Sequence, residues 1–365
     1  MMDHILGQET ATTSLQSALD SGRVHHAWIF HGPVGVGKFT TALAFAQVLL
    51  DPEATPDLAG HQRSEPDGPV GQLVRTEQHP DLHIIRKELA LYSESARLRQ
   101  RKLSNIPVDL LRERVIGGDV DGRMHDAVAY RTARQGHGKV FIIEEAELLD
   151  TTGQNAMLKT LEEPPPQTYF ILLSTQEDRL LPTIRSRCQR VAFTPLPDGA
   201  MQRWVERSGF ETTGAESAWI REIAGGSPGT AMMAKEDGLH GWYEQLRPSL
   251  REIEQGRYPP GMGEMLASFV DQFATGWVKR FDNASKEMAN QAGMQRVFMI
   301  LGAYLRQRLA GSVASIDEAE RWLHMMELLY ETEGHLSNNI NLKIALENLV
   351  VQWTQCCARR PVAMA

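Results

Sequence analysis

Residues 27–47, AWIFHGPVGVGKFTTALAFAQ, constrain this chain more than any other segment. An apolar run of β-branched and aromatic residues leads into Gly32, Gly35, Gly37 and Lys38, and an apolar helical stretch follows at once. A phosphate-binding loop requires strand, glycine-rich turn and helix in that order. Glycines let backbone amides curl around an anion, the helix N-terminus adds its positive dipole end, and a lysine supplies charge for the outer phosphates. The candidate nucleotide-binding residues are therefore Gly32, Gly35, Val36, Gly37, Lys38, Phe39 and Thr40.

One residue breaks the pattern. After the lysine such loops carry Ser or Thr, whose hydroxyl ligates Mg²⁺, and here Phe39 stands instead. Phenylalanine cannot coordinate a metal. Thr40 does not simply substitute, because one step along a helix turns a side chain by about 100°. A second element, KVFIIEEAELLD at 139–150, reads as a buried strand ending in carboxylates. In that setting the first acid holds the water shell of the metal and the second polarises the attacking water. Glu144 and Glu145 occupy those places, with Glu144 one methylene longer than the usual Asp and its carboxylate displaced accordingly. The same residues also read as a strand followed by the solvated acidic start of a helix. ATP, with Mg²⁺ if it is bound, is the cofactor that fits; hydrolysis is expected to be impaired. No residue is assigned as a metal ligand.

Further strand-like runs at 81–85, 140–143 and 169–174 join 27–32, with helical patterns between them, so the first half reads as α/β with a parallel sheet. Polar stretches at 55–80 and 87–105 read as inserted loops. Beyond 195–199 strand signals fade, and the rest reads as helical with breaks at 225–229 and 257–263. Ser315 and Glu318 form a capping-box start, after which Trp322, Met326, Leu329 and Tyr330 fall on one helix face. Leu342, Leu346, Leu349, Val350 and Trp353 make a second stripe. Each reads as internal core or, more sharply, as an oligomer interface.

A chain of 365 residues exceeds one typical domain, and 42% hydrophobic with 23% charged residues is a globular composition. Its net charge of −8 argues against electrostatically driven nucleic-acid binding by this chain alone, so any DNA contact is local or shared. Cys188, Cys356 and Cys357 are the only cysteines, too few for a four-cysteine zinc site and odd for a disulfide framework. No run approaches the roughly 18 apolar residues a membrane span needs, and the first 20 residues lack a signal-peptide pattern. The expected location is cytoplasmic.

The run N-A-x-L-K-T-L-E-E-P-P at 155–165 and L-L-x-T-I-R-S-R-C at 180–188 resemble the AAA+ clamp-loader subunits of bacterial DNA polymerase III. His79-Pro80-Asp81, I-P-V-D-x-L-R at 106–112, I-L-G-Q at 5–8 and N-x-N-x-K-x-A-L-E at 339–347 are similar to the delta-prime branch in particular. The tau/gamma branch keeps an intact K-[ST] loop and a four-cysteine zinc module, whereas 50–80 here contains no cysteine, so no zinc is expected.

The resemblance implies a AAA+ P-loop parallel-sheet domain over 1–195 with a variable insertion at 51–105, a helical lid over 196–245, and an all-helical collar over 246–365. It implies that Arg187, in Ser186-Arg187-Cys188, is an arginine finger acting in trans on ATP held by a neighbouring subunit. Where family ATPases carry a lid sensor arginine, in G-S-x-R, this chain has Gly226-Ser227-Pro228-Gly229. Ser174 and Thr175 fall where a polar sensor residue is expected. Implied partners are the other clamp-loader subunits, tau/gamma and delta, with the sliding clamp and primed DNA met through the assembly. The alternative is an ATP-hydrolysing motor subunit of tau/gamma type. A P-loop kinase is disfavoured by the S-R-C segment and the long helical tail.

Overall fold

A computed structural model describes residues 4–101, 103–135, 137–212, 214–280, 285–312, 315–336 and 341–358. The chain forms two compact units, Met1–Glu211 with Gly226–Gly229, and Thr212–Gly225 with Thr230–Ala365.

The first unit opens with α1 (Glu9–Asp20), β1 (Ala27–His31) and α2 (Lys38–Leu50). A hairpin of β2 (Thr55–Pro56) and β3 (Gln62–Arg63) leads to α3 (Pro69–Arg75) and β4 (Leu82–Ile85). Short helices α4 (Ala96–Arg99) and α5 (Val108–Leu111) precede a second hairpin, β5 (Gly118–Val120) and β6 (Arg123–His125). Then come β7 (Lys139–Ile143), α6 (Thr151–Glu162), β8 (Thr168–Ser174), α7 (Pro182–Arg185), β9 (Gln189–Ala192) and α8 (Asp198–Ser208).

Five strands pair in the order β4-β7-β8-β1-β9, and every pairing is parallel. This is the α/β sheet expected from the sequence. Parallel sheets are covered on both faces, and so β7 is buried at every residue and β1 at all but its last. Edge strand β9 was not foreseen: Gln189, Arg190 and Ala192 are exposed and only Val191 points inward, which leaves no apolar run to read. With β8 between β1 and β7, the ends of all three strands open on the same edge of the sheet, where ligands bind in such folds.

Residues 51–105 are more structured than the loops expected there. Asp57 accepts the amides of Ala59 (2.8 Å) and His61 (3.0 Å) and pairs with Arg63; the His61 amide is the largest influence holding its carboxyl down at about 2. Asp20 on α1 accepts from the Gln62 amide at 2.8 Å and pairs with His61 at 2.7 Å. Gln47 on α2 donates to Ser64 Oγ at 2.9 Å and the Glu65 carbonyl at 2.8 Å. Polar side chains gripping backbone thus order a segment with little apolar content. Among the described residues no group of three side chains of metal-ligating type comes together.

The second unit holds α9 (Gly214–Ala224), most of α10 (Pro228–Glu236), α11 (Leu239–Glu254), α12 (Met262–Arg280) and α13 (Lys286–Gly311). It ends with α14 (Ile316–Leu336) and α15 (Leu342–Ala358). Ser315 Oγ accepts the Glu318 amide at 3.4 Å, the cap expected at the start of α14. Helix α12 packs on α13 and α15, and α14 packs on the same two. The interface reading of the two tryptophans is overturned. Trp353 is 1% exposed and donates Nε1–H to the Met325 carbonyl at 2.9 Å, while Trp322 is buried edge-on to Tyr304 with ring centroids 6.4 Å apart. Asn339 lies outside the described residues. No described helix is long and apolar enough to cross a membrane.

Because the Trp353 cavity would be lined by packed helices, Trp353→Ala should cost about 3–5 kcal/mol. Chemical denaturation of the full chain checks this; a loss below about 1 kcal/mol would contradict a core role.

Candidate functional site: the phosphate loop and its surroundings

Left-handed or otherwise positive φ angles at Gly32 (141°), Gly35 (72°) and Gly37 (104°) shape the loop between β1 and α2. At Gly32 the demand is also steric, since a Cβ there would lie 2.1 Å from the Phe193 carbonyl oxygen. Gly37 caps α2. Val36 is buried, and its carbonyl accepts from Gln8 Nε2 at 3.1 Å; the same nitrogen reaches the Thr194 carbonyl at 2.7 Å. Gln8 therefore ties the loop to the chain leaving β9.

Lys38 is buried, with its ammonium donating to the carbonyls of Gly32 (2.6 Å) and Pro33 (2.5 Å). Burial pushes its pKa down to about 8, against the opposing pull of Glu147. Thr40 is exposed, whereas Thr41 is fully buried and donates its hydroxyl to the Gly37 carbonyl at 2.9 Å. The segment 226–229 closes on the loop from the other side. Ser227 Oγ donates to the Val34 carbonyl at 2.8 Å, and the Gly229 amide donates to the Gly35 carbonyl at 2.9 Å. A Cβ on Gly229 would stand 2.7 Å from Gly35 Cα, so this position has no space for the sensor side chain it lacks.

Phe39 lies under a guanidinium. Arg86, directly after β4, sits 5.1 Å from the Phe39 ring centroid. Its Nε donates to Glu144 at 2.6 Å, and its two Nη groups donate to the Glu77 carboxylate at 2.7 and 3.0 Å. Burial raises the Glu144 pKa, and Arg86 counteracts it. Glu145 turns into a left-handed conformation (φ 47°) and pairs with Lys87 at 2.5 Å. The acid that the lysine feels is a third one, Glu147. Its Oε1 accepts the Thr175 amide at 3.0 Å and hydroxyl at 2.5 Å, and Oε2 is buried with no hydrogen-bond partner. Burial alone would raise its pKa, but the bonds from Thr175 hold it below the usual value. Ser174 is buried at the end of β8, its hydroxyl accepting the Gln176 amide at 3.1 Å.

These side chains do not fit a divalent cation: the hydroxyl position is aromatic and the first acid already carries a guanidinium. Arg86, Lys87, Glu147 and Gln8 were not singled out by sequence reasoning. Only a charge-pairing signal across 58 residues could have found the first two, since Arg86 pairs with Glu144 and Lys87 with Glu145.

Arg187 lies away from this cluster in sequence, between α7 and β9. Its Nη1 donates to the Thr183 carbonyl at 2.9 Å, and Nη2 pairs with Glu162 at the end of α6. Its side chain stays one-third exposed. Cys188 beside it is buried, which pushes its thiol up to about 12 and makes it inert.

The family described as DNA polymerase III, delta subunit, matches residues 7–197. The chain is 31% identical over 241 residues to DNA polymerase III subunit gamma/tau of Mycobacterium tuberculosis, covering 65% of this chain and 37% of that protein. It is 28% identical over 344 residues to subunit delta' of Pseudomonas aeruginosa, covering 90% and 91% respectively. With subunit delta' of Escherichia coli the identity is 27% over 357 residues, covering 90% and 95%. The chain thus spans little more than a third of the gamma/tau relative and nearly all of the delta' ones.

Both Gly32→Ala and Gly37→Ala place a Cβ at positive φ, a strain of roughly 1–2 kcal/mol. Only Gly32→Ala also collides, because nothing lies within 4 Å of a Cβ at Gly37. Gly32→Ala should therefore lose at least ~2 kcal/mol more than Gly37→Ala in denaturant titrations. Equal losses would mean that the β1–β9 approach yields easily.

Proposed function

The chain belongs to the DNA polymerase III, delta subunit, family, and on that footing we propose that it is a delta-prime-type subunit of the clamp loader. In this role it assists ATP-driven loading of the sliding clamp onto primed DNA, in the cytoplasm, alongside tau/gamma and delta subunits. One observation carries the choice of branch: the alignment runs through 90% of this chain and 91–95% of the two delta' relatives. The higher identity to gamma/tau favours the alternative, a hydrolysing motor subunit. Phe39, the Arg86-paired Glu144 and Gly229 argue against it.

The parts take the following roles. Residues 1–195 form the AAA+ domain, 196–245 its lid and 246–365 the collar that holds the ring together. The phosphate loop takes a nucleoside polyphosphate on the amides around Gly35–Lys38, with Lys38 leaving its two carbonyls to meet the outer phosphates. Mg·ATP would supply hydrolysis only in a neighbour. Arg187 is offered to that neighbour's ATP, where a planar, permanently charged fork meets phosphate oxygens as charge builds.

For the loop, pH is a direct test. Below pH 8 Lys38 is already an ammonium; above it, binding a polyanion must also draw in a proton. Affinity for ATP should then fall by up to ~10-fold per pH unit as pH rises past that value. Lys38→Arg, which cannot lose its charge, should flatten the profile. A flat wild-type profile in fluorescence titrations from pH 7 to 10 would take Lys38 out of phosphate binding.

For the finger, reconstituted rings carrying Arg187→Ala should assemble normally, while clamp- and DNA-stimulated ATP hydrolysis falls. An arginine supplied in trans is worth roughly 10³–10⁵ at its own site, but a ring with several motors loses only the share of one interface. Arg187→Lys should not restore it fully. Equal rates in all three rings would leave Arg187 as a surface residue tied to Glu162.

A further inference from the structure

Beyond the impaired hydrolysis just described, we propose that Arg86 is a fixed internal cation standing in the place of the divalent metal, so that this loop binds a nucleoside polyphosphate without responding to Mg²⁺. The inference rests on the nucleotide reading of the loop.

Two positions define where the metal of a nucleotide-hydrolysing loop sits: the hydroxyl after the lysine and the first acid after the neighbouring strand. In this chain they are Phe39 and Glu144, and one guanidinium touches both, 5.1 Å from the ring centroid of the first and 2.6 Å from the carboxylate of the second. The ring face favours a cation as weakly hydrated as guanidinium, which an aromatic surface stabilises and a hexahydrated Mg²⁺ does not match. Arg86 is anchored from behind by two hydrogen bonds to Glu77, so it is placed by the fold and not by the ligand.

The remaining acids offer the metal no second foothold. Glu145 carries Lys87, and Glu147 is gripped by the amide and hydroxyl of Thr175. Restoring a hydroxyl at position 39 alone would leave Glu144 bound to Arg86. The two residues form one lock, and their removal should be strongly non-additive, as expected for groups in direct contact.

Mant-ATP is titrated into the full chain, once with Mg²⁺ and once with EDTA, for wild type, Phe39→Thr, Arg86→Gln and the double variant, with Lys38→Ala as the loop control. Wild type and Phe39→Thr should bind equally in the two buffers, within about twofold, whereas the double variant should bind ~10-fold or more tightly with Mg²⁺. Melting curves establish that each variant is folded, and the wild-type comparison decides the matter even if the double variant is not. Wild-type binding at least ~10-fold tighter in Mg²⁺ overturns the inference, as does a folded double variant that stays insensitive to the metal. Absence of binding in every arm, unchanged by Lys38→Ala, overturns the nucleotide reading and the inference with it, whereas a metal response with intact Lys38 dependence overturns the inference alone.

Discussion

Between Gly32 and Phe193 there is no room for a side chain: a Cβ on the glycine would lie 2.1 Å from the Phe193 carbonyl oxygen. That approach fixes more than the loop. It requires β9 to lie against β1, which puts Phe193 and Thr194 beside the phosphate loop and lets Gln8 bridge Val36 and Thr194. On the opposite side the Gly229 amide meets the Gly35 carbonyl at 2.9 Å, an approach that again tolerates no Cβ. The loop is held as a backbone structure, by amides and carbonyls of three separate stretches, and its one charged side chain is bound by the carbonyls it would leave.

Electrostatics then decide what the site can do. Three carboxylates follow β7, and each has a separate engagement: Glu144 with Arg86, Glu145 with Lys87, Glu147 with Thr175. Exposed ion pairs are worth little, about 0–1 kcal/mol. The pair at Glu144 is different because the guanidinium is shared with Glu77 and lies against the face of Phe39, so releasing the carboxylate breaks several contacts together. A metal missing its hydroxyl ligand has lost much of the gain needed to offset that. Phe39 therefore acts twice, by withdrawing a ligand and by holding the cation that occupies the acid.

The parallel sheet was legible in the sequence because its inner strands are buried on both faces and so read as plain apolar runs. Edge strand β9 was invisible for the opposite reason, since only Val191 of its four residues faces inward. The insertion at 51–105 was unreadable by periodicity because Asp20, Gln47 and Asp57 order it through single polar contacts to backbone, which leave no repeating pattern. The loop residues were likewise legible, each glycine answering a local conformational demand. Arg86 was not: its importance arises from a pairing across 58 residues that only folding creates. Several quoted motifs turn out to have structural work of their own. Asp81 accepts the amides of Arg134 (2.7 Å) and Gln135 (2.9 Å), and Ile106 bridges to Leu148 and Asp150 beside the acids.

Helix α6 connects the two ends of the proposed mechanism. It starts at Asp150, whose side chain caps it by accepting the Gly153 amide at 2.6 Å, shortly after the acids of β7. It ends at Glu162, the partner of Arg187. Twelve helical residues make a rod of about 18 Å, stiff enough to hold the finger at a set distance from the sheet edge where the nucleotide loop lies. The Arg187–Glu162 pair itself is partly solvated on both sides, so it stabilises by about 1 kcal/mol at most. A bidentate contact from the same guanidinium to phosphate oxygens in a water-excluded interface is considerably stronger. The balance favours a finger that is kept extended and ordered by Glu162 in the free subunit, yet exchanges that partner readily when a neighbour's phosphates come within reach.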